Sequence, residues 1–357
     1  MIIKELTLNK YRNYFYQNIK FAPGINIFLG DNAQGKTNLL ESVYFGANAK
    51  SFKKVKDTNL IMFNETNMQL DLTIQKDSSF KKINIKVDRH GKSIVVNGIK
   101  YPNNKDLSAL FNIVLFTPEE MKIAKEGPSL RRDFIDDIII SVDDNYKRIK
   151  RRYQRLVFER NKLLKKPKTK FFDDEIYAFD VQIADYGARI IQYRKRYIEI
   201  LSDYANTYLR NLTNYKENFR IEYRPDIDVA TEKEYMNYLL DNRRKDLEQY
   251  STTSGVHRDD INFLINDMNI RDFASQGQQR SAILVLKLSQ IKLIKVKLQQ
   301  KAIVLLDDVF SELDEKRSGF LLNNLEGYQT IITSTDFTNI EKINPNSIRK
   351  IKNGKIF

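Results

Sequence analysis

Residues 30–37 read Gly30-Asp31-Asn32-Ala33-Gln34-Gly35-Lys36-Thr37, a glycine-bounded loop closed by a lysine and a hydroxyl side chain. Glycines at this spacing let the backbone curl until its N–H groups point inward, which is how phosphate oxygens are held. A lysine in this place reaches the outer phosphates of a nucleotide, and the threonine offers Mg2+ a hard oxygen ligand. Asn38 then opens the helical NLLESVYFG, whose N-terminal partial charge adds to the attraction for an anion. The bland alternative is an ordinary strand–turn–helix. The apolar run from Ile25 to Leu29 before the loop and the helix after it are the context a phosphate cradle requires. Gly30, Asp31, Asn32, Ala33, Gln34, Gly35, Lys36, Thr37 and Asn38 are therefore predicted to bind nucleotide.

Near the other end of the chain, Ala302-Ile303-Val304-Leu305-Leu306 runs into Asp307-Asp308. A buried parallel strand delivers its last side chains to the carboxyl edge of the sheet, where nucleotides bind in open α/β folds. Asp307 is predicted to hold Mg2+, directly or through water, and Asp308 to orient or deprotonate an attacking water. A strand ending in two acids is by itself an ordinary acidic turn; beside a phosphate cradle it becomes the carboxylate that magnesium–nucleotide needs. Ser275-Gln276-Gly277-Gln278-Gln279-Arg280 opens a long helix and reads either as a cap, with Ser275 at the N-cap, or as a second anion-facing helix start. One chain needs a second such site only if it serves a nucleotide held by another molecule. The residues alone leave both readings open.

These groups need a frame. Strand signals fill the first thirty residues and return at 67–100, where MQLDLTI and KKINIKVD alternate and the turn Arg89-His90-Gly91-Lys92 precedes SIVVNG. From about residue 119 the texture becomes helical, with long helices predicted from about Leu130 to Leu164 and from about Glu175 to Leu212. Ile149, Tyr153, Leu156 and Leu163 form an apolar stripe in the first, and PKTKFFDD is the connector. After Tyr250 come INFLIND, a helix over 278–296, KAIVLLDD and QTIITSTD. The pattern predicts an α/β fold with mixed sheets, assembled from 1–118 plus 252–357, and a mainly helical insertion over 119–251.

The 357 residues carry 60 Lys and Arg against 46 Asp and Glu, a net charge of +14. Such a surplus suits a polyanionic partner, although lysine-rich proteomes also produce basic proteins without one. There is no cysteine and only His90 and His257, which argues against disulfides, thiol nucleophiles and a His-rich metal site. No apolar run approaches the ~18 residues of a membrane span, and no secretory signal opens the chain, so a cytoplasmic protein without membrane association is expected. Between Lys147 and Lys170 stand twelve Lys or Arg residues against one acid, Glu159. A run of this kind is a solvated helix face or a contact for DNA backbone, with Arg151, Arg155 and Lys162 at roughly helical spacing.

The order of these segments resembles the ABC-type P-loop ATPase heads: cradle, helical insertion, SQGQQR in the place of the ABC signature, Asp307-Asp308, then Ser311-Glu312-Leu313-Asp314. Within that group the chain is most similar to the RecF family, DNA replication and repair relatives of the SMC heads. The likeness runs through LTLNKYRNY, GDNAQGKTNLLESVYF, FTPEEMKIAKEGPSLRRDFID, GVHRDD, FASQGQQRS and VLLDDVFSELD, while the middle helices match loosely. It implies ATP and Mg2+ as ligands and a weak, DNA-stimulated ATPase. It also implies a head-to-tail homodimer closed by ATP, in which Ser275, Gly277 and Gln278 of one subunit join the nucleotide-binding set by facing nucleotide held at Lys36 of the other, Ser275 with a catalytic part, and Asp314 couples the sites. DNA (duplex, gapped or at single-strand junctions) and RecR- and RecO-type mediators are the implied partners, with loading of recombinase on single-stranded gaps as the outcome. An ATP-gated DNA scaffold with incidental hydrolysis, or a transporter ATPase subunit, are the alternatives.

Departures from the wider ABC pattern accompany the likeness. Asp308 stands where transporters carry Glu, which suggests slow turnover, and no histidine follows the next strand, where Thr335 or Ser334 takes the switch position. The lid position falls on Glu119 or Glu120. The resemblance puts Arg12 near phosphate or DNA, the alternative being an exposed turn arginine. Arg131 and Arg132 are candidates for DNA contact or for steadying the lid within what otherwise reads as a helix start, and His257 and Arg258 for structural support of the active face.

Overall fold

The computed structural model describes residues 1–102, 107, 111–120, 123–335 and 344–357. Two compact units form, one from residues 1–120 with 291–357 and one from residues 121–290. The chain runs β1 (Ile2–Tyr11), β2 (Tyr14–Lys20), β3 (Ile25–Leu29), α1 (Lys36–Asn48), β4 (Asn67–Lys76), β5 (Ser79–Asp88), β6 (Gly91–Val96), β7 (Ile99–Tyr101) and β8 (Ile113–Phe116). It continues through α2 (Pro128–Ile140), α3 (Asp144–Leu164), α4 (Phe172–Thr213), β9 (Phe219–Arg224), α5 (Glu232–Gln249), β10 (Asp260–Ile265), β11 (Met268–Asn269), α6 (Ile270–Phe273) and α7 (Gln276–Leu298). It ends with β12 (Ile303–Asp307), α8 (Glu315–Asn324), β13 (Thr330–Ser334), β14 (Ser347–Lys352) and β15 (Lys355–Ile356).

The first unit holds two sheets. An antiparallel sheet has the order β2-β1-β4-β5-β6-β7, and a largely parallel one the order β15-β14-β3-β13-β12-β8. Their residue patterns differ as their surroundings require. Every residue of β12 and β13 is buried, as in parallel strands covered on both faces. Along β4, Met68, Leu70, Leu72 and Ile74 are buried while the residues between them are less so, the period of a strand with one core face. Helix α1 joins the two: Leu39, Leu40, Val43 and Phe45 share one core with Leu6, Leu70 and Leu72 and with Phe28, Leu305 and Ile331. Gln329 stitches the sheets, accepting from Ile3 N at 2.6 Å and donating to Ile3 O at 2.8 Å.

Within the second unit, one long helix expected over 130–164 is two. Asp143 leaves the helical conformation, and its carboxylate accepts from Asn145 N and Tyr146 N, capping α3 after α2 has ended. The stripe Ile149, Tyr153, Leu156 and Leu163 is buried as its spacing requires. Residues 252–290, grouped by sequence with the ATPase core, cluster with the helices of this unit. The reason is a strand partner: β10 pairs antiparallel with β9, from Asp260 opposite Arg224 to Ile265 opposite Phe219. Neither β9 nor α5 stands out in the sequence.

Buried guanidinium groups tie these helices together. Arg160, with no exposed surface, donates to Asp180 Oδ1 and Asp246 Oδ2 at 2.7 Å each and to Thr252 Oγ1 at 2.9 Å. Arg194, 3% exposed, donates to both oxygens of Asp136, to Asp259 Oδ2 at 2.6 Å and to the Val256 carbonyl at 2.7 Å. Burial favours the neutral form of Asp136, yet Arg194 and Lys150 outweigh it and hold the carboxyl below its ordinary range. The 255–260 segment is thus clamped from α4. His257 Nε2 donates to Thr252 O at 3.1 Å, which leaves Nδ1 to accept from Tyr153 Oη at 2.9 Å.

Arg194→Leu would leave Asp136 and Asp259 buried without their main cation, and is expected to cost about 3–5 kcal/mol in urea unfolding. A loss under about 1 kcal/mol would show that Lys150 and Tyr223 suffice. Burial also holds the His257 imidazole below its ordinary pKa. The unfolded chain then binds the proton more readily, so stability is lost as pH falls below the unfolded value of about 6.5. His257→Gln should flatten that part of the profile, read as melting temperature at about pH 7.5 and about pH 5.5.

Candidate nucleotide site at the edge of the parallel sheet

Strand β13 lies between β3 and β12, and all three run parallel, so they end on one edge of the sheet. The 30–35 loop leaves β3 there and Asp307 closes β12. The register sets Asp307 opposite Thr333 of β13. Thr37 Oγ1, one residue into α1, donates to Asp307 Oδ1 at 3.0 Å, and Thr333 Oγ1 donates to the same oxygen at 2.8 Å. Burial pushes the Asp307 carboxyl above its ordinary range, and the two hydroxyls oppose that shift. Asp308 follows in the left-handed region, φ 50°, with its N–H donating to Thr333 O at 3.0 Å. Its Oδ1 is buried with no hydrogen-bond partner.

The loop gets its shape from glycine and from neighbours outside the motif. Gly35 has φ 113°, and a Cβ there would meet Asn13 Nδ2 at 2.5 Å and Tyr14 Oη at 3.0 Å. Tyr14 Oη donates to Gly35 O at 2.9 Å, and Asn13 Nδ2 donates to Gln34 O at 3.0 Å. From the β14–β15 turn, Asn353 N donates to Gln34 Oε1 at 2.6 Å and Gly354 N to Gln34 O at 3.1 Å. Asn38 Nδ2 donates to Asn13 Oδ1 at 3.0 Å. Lys36 Nζ donates to the carbonyls of Gly30 and Asp31 at 2.6 and 2.9 Å. Burial lowers the Lys36 pKa while Asp308, Asp307 and Asp31 work against that. Sequence reasoning missed Thr333, Asn13, Tyr14 and the 353–354 turn as parts of this site. Only the turn had a local signal, an Asn-Gly pair.

Ser275 caps α7: its N–H donates to Gln278 Oε1 at 2.9 Å, and its Oγ accepts from Gln278 N at 3.2 Å. Ser275 and Gln276 are exposed, and Gly277 is half-buried. Asp314 caps α8 through Arg317 N at 2.9 Å. After β8, Glu120 and Thr117 exchange bonds at 3.3 Å, while Glu119 is exposed. Thr335 is exposed just past β13, Ser334 is the strand's last residue, and Asp336 lies outside the described residues.

The arginines are distributed unevenly. Arg12 has φ 51° and a two-point bond to Glu41 of α1, Nε to Oε2 and Nη2 to Oε1 at 2.9 Å each. Glu41 is fully buried and also accepts from Ser51 Oγ at 2.5 Å, so the guanidinium is engaged beneath the cradle helix. Arg131 pairs with Asp260 at 2.7 Å and Arg132 Nη1 donates to Asp259 O at 2.6 Å, which holds the 255–260 segment from α2. Arg151, Arg155 and Lys162 are exposed on α3, with Lys162 Nζ 4.4 Å from the centre of the Phe158 ring. Arg160 of the same run is interior.

The chemistry available is that of a hard cation and phosphate. Thr37 and Asp307 offer two oxygens 3.0 Å apart, and the unpartnered Asp308 Oδ1 provides a third acceptor close by in sequence. Among the described residues no three His, Cys, Asp or Glu converge on one point. Magnesium does not need such a cage, since it takes one or two carboxylates together with substrate phosphates and water. The residues fit that ion bound with a nucleotide.

Comparison with known proteins agrees with this geometry. The sequence profile described as RecF/RecN/SMC N terminal domain matches residues 2–355. The DNA replication and repair protein RecF of Clostridium novyi (strain NT) is 40% identical over 361 residues, covering 100% of this chain and 99% of that protein. The protein of the same name from Alkaliphilus oremlandii (strain OhILAs) is 39% identical, covering 97% and 96%. A solved structure of the recombination mediator protein RecF with ATP, in the RecFOR pathway, superposes with a TM-score of 0.91 at 34% identity, over 99% of this chain and 96% of that one. An Smc head bound to the C-winged helix domain of ScpA shares the fold, with a TM-score of 0.60 at 16% identity over 100% and 97%. With the site geometry, the profile match and full-length relatives all in agreement, this chain belongs to the RecF family.

Proposed function

We propose that this protein binds ATP with Mg2+ at the 30–38 loop and uses it to close a head-to-tail homodimer on DNA during recombinational repair and replication restart. The observation that carries the reading is the convergence of the Thr37 and Thr333 hydroxyls on Asp307 Oδ1, with Lys36 preceding Thr37 at the start of α1. Thr37 and Asp307 would hold the magnesium ion, which when bound offsets the charge of the outer phosphates. Backbone N–H groups of the loop and the N-terminus of α1 receive phosphate oxygens, and Lys36 moves from the Gly30 and Asp31 carbonyls to the outer phosphates. Asp308, whose Oδ1 has no protein partner, orients water for a slow hydrolysis that opens the dimer. Thr333 fixes the Asp307 rotamer. The relative solved with ATP supports the ligand.

Ser275 and Gly277 of one copy act on nucleotide held at Lys36 of the second. The exposed Arg151, Arg155 and Lys162 of α3 meet DNA backbone, in duplex, gapped or single-strand-junction form, without reading its sequence. RecR- and RecO-type proteins are the partners the pathway name of the solved relative suggests. The ATPase core and the mainly helical insertion would then be the working halves, with the signature carried in the 121–290 unit.

Lys36→Ala removes a charged donor to phosphate and should weaken MgATP binding about 10- to 100-fold, measured by titration calorimetry. Asp308→Asn should still dimerise with MgATP while its hydrolysis falls by about 10²-fold or more. Mass in solution checks the assembly. Wild type with MgATP and gapped duplex should double in mass, and Ser275→Arg should bind ATP yet remain a monomer. A wild type that stays monomeric at saturating ATP and DNA would overturn the clamp reading.

A further inference from the structure

The start of α7 contains an amide with no freedom left. Gln278 Oε1 accepts from Ser275 N, so its Nε2 must find an acceptor elsewhere, and it donates to Glu217 Oε1 at 2.9 Å. Turning the amide over would set two donors against each other at Ser275 and two acceptors at Glu217. The backbone N–H and the carboxylate therefore select one orientation together. Glu217 sits in the loop between α4 and β9, 61 residues before Gln278. Its own N–H donates to Thr213 Oγ1 at 3.2 Å, and that hydroxyl donates to Leu209 O at 2.9 Å, so the carboxylate hangs from the last turn of α4. Because Ser275 Oγ is the acceptor within the cap, its hydrogen is left to donate outward from an exposed position.

We propose that Glu217 is a positioning residue for the Ser275-Gln276-Gly277-Gln278 segment. By fixing the Gln278 amide it holds the cap closed, and the closed cap aims the Ser275 hydroxyl at the nucleotide of a second copy. The inference rests on the trans-acting reading of Ser275 above. Glu217 works as an acceptor, and its charge is not what the link needs. A carboxylate close to an incoming phosphate is in fact unfavourable, so a neutral acceptor of the same shape should serve at least as well.

Glu217 is half-exposed, so its variants are expected to fold. The full-length chain, Glu217→Ala and Glu217→Gln would be titrated with MgATP, reading mass by sedimentation. ATP binding to the monomer would be read separately at protein concentrations too low for dimerisation. Glu217→Ala should need about tenfold more MgATP for half-dimerisation, with monomer affinity and melting temperature unchanged. Glu217→Gln should match wild type or need less. The inference is overturned if Glu217→Ala dimerises as wild type does, if Glu217→Gln is impaired equally, or if monomer affinity falls in step with dimerisation. A wild type that never dimerises removes the trans-acting reading first and this inference with it, an outcome distinct from the other three.

Discussion

A carboxylate 5% exposed at the end of an apolar strand is the constraint on which the first unit turns. Placing Asp307 there is costly unless its oxygens are given donors. Those donors come from Thr37, behind β3, and from Thr333 on β13, and neither is near Asp307 in the chain. Both reach it only if β3, β13 and β12 are parallel, adjacent and in one register. Burial of Asp307 and placement of the loop against it are therefore one requirement. The carboxyl stays above its ordinary range even with both hydroxyls engaged, because burial outweighs the two hydrogen bonds.

The loop motif specifies a curl, and other parts of the unit determine that the curl is rigid. Gln34 and Gly35 present carbonyls that would be loose on their own. Asn13 and Tyr14 from the β1–β2 turn take them, and the 353–354 turn takes Gln34 from another side. The left-handed Gly35 is needed because those side chains occupy the place of its Cβ. A loop keeps one backbone shape only when its polar groups are held, so these supports shape the loop as fully as the motif does.

The second unit solves a related problem with the opposite charge. Its helices are rich in basic residues, and a solvated charge run would contribute little to holding them together. Arg160 and Arg194 instead turn inward and meet acids delivered by other elements: Asp180 from α4, Asp246 from α5, Asp136 from α2 and Asp259 before β10. Each guanidinium presents several donors in a fixed plane, so one residue can orient three segments at once. The 255–260 segment, held by Arg131, Arg132, Arg194 and Tyr153, becomes a rigid joint between β10 and the helices.

By itself the sequence determined what local chemistry determines. A glycine-bounded loop between strand and helix, an apolar run ending in two acids and a serine opening a helix each specify their own backbone, so the loop, β12 and the cap of α7 were legible. The likeness to the RecF family then set their order in the fold. Tertiary structure decided the partnerships. Thr333 was one more threonine in a strand until the register put it opposite Asp307. Arg12 had no visible partner until the fold set Glu41 against it, and Arg160 was one of twelve basic residues until two distant acids enclosed it. Residues 252–290 changed company because β10 found β9, a strand too polar to announce itself. The division follows from range. Backbone conformation depends on residues within a few positions, whereas the worth of a side chain's charge or hydroxyl depends on which group the fold brings within about 3 Å of it.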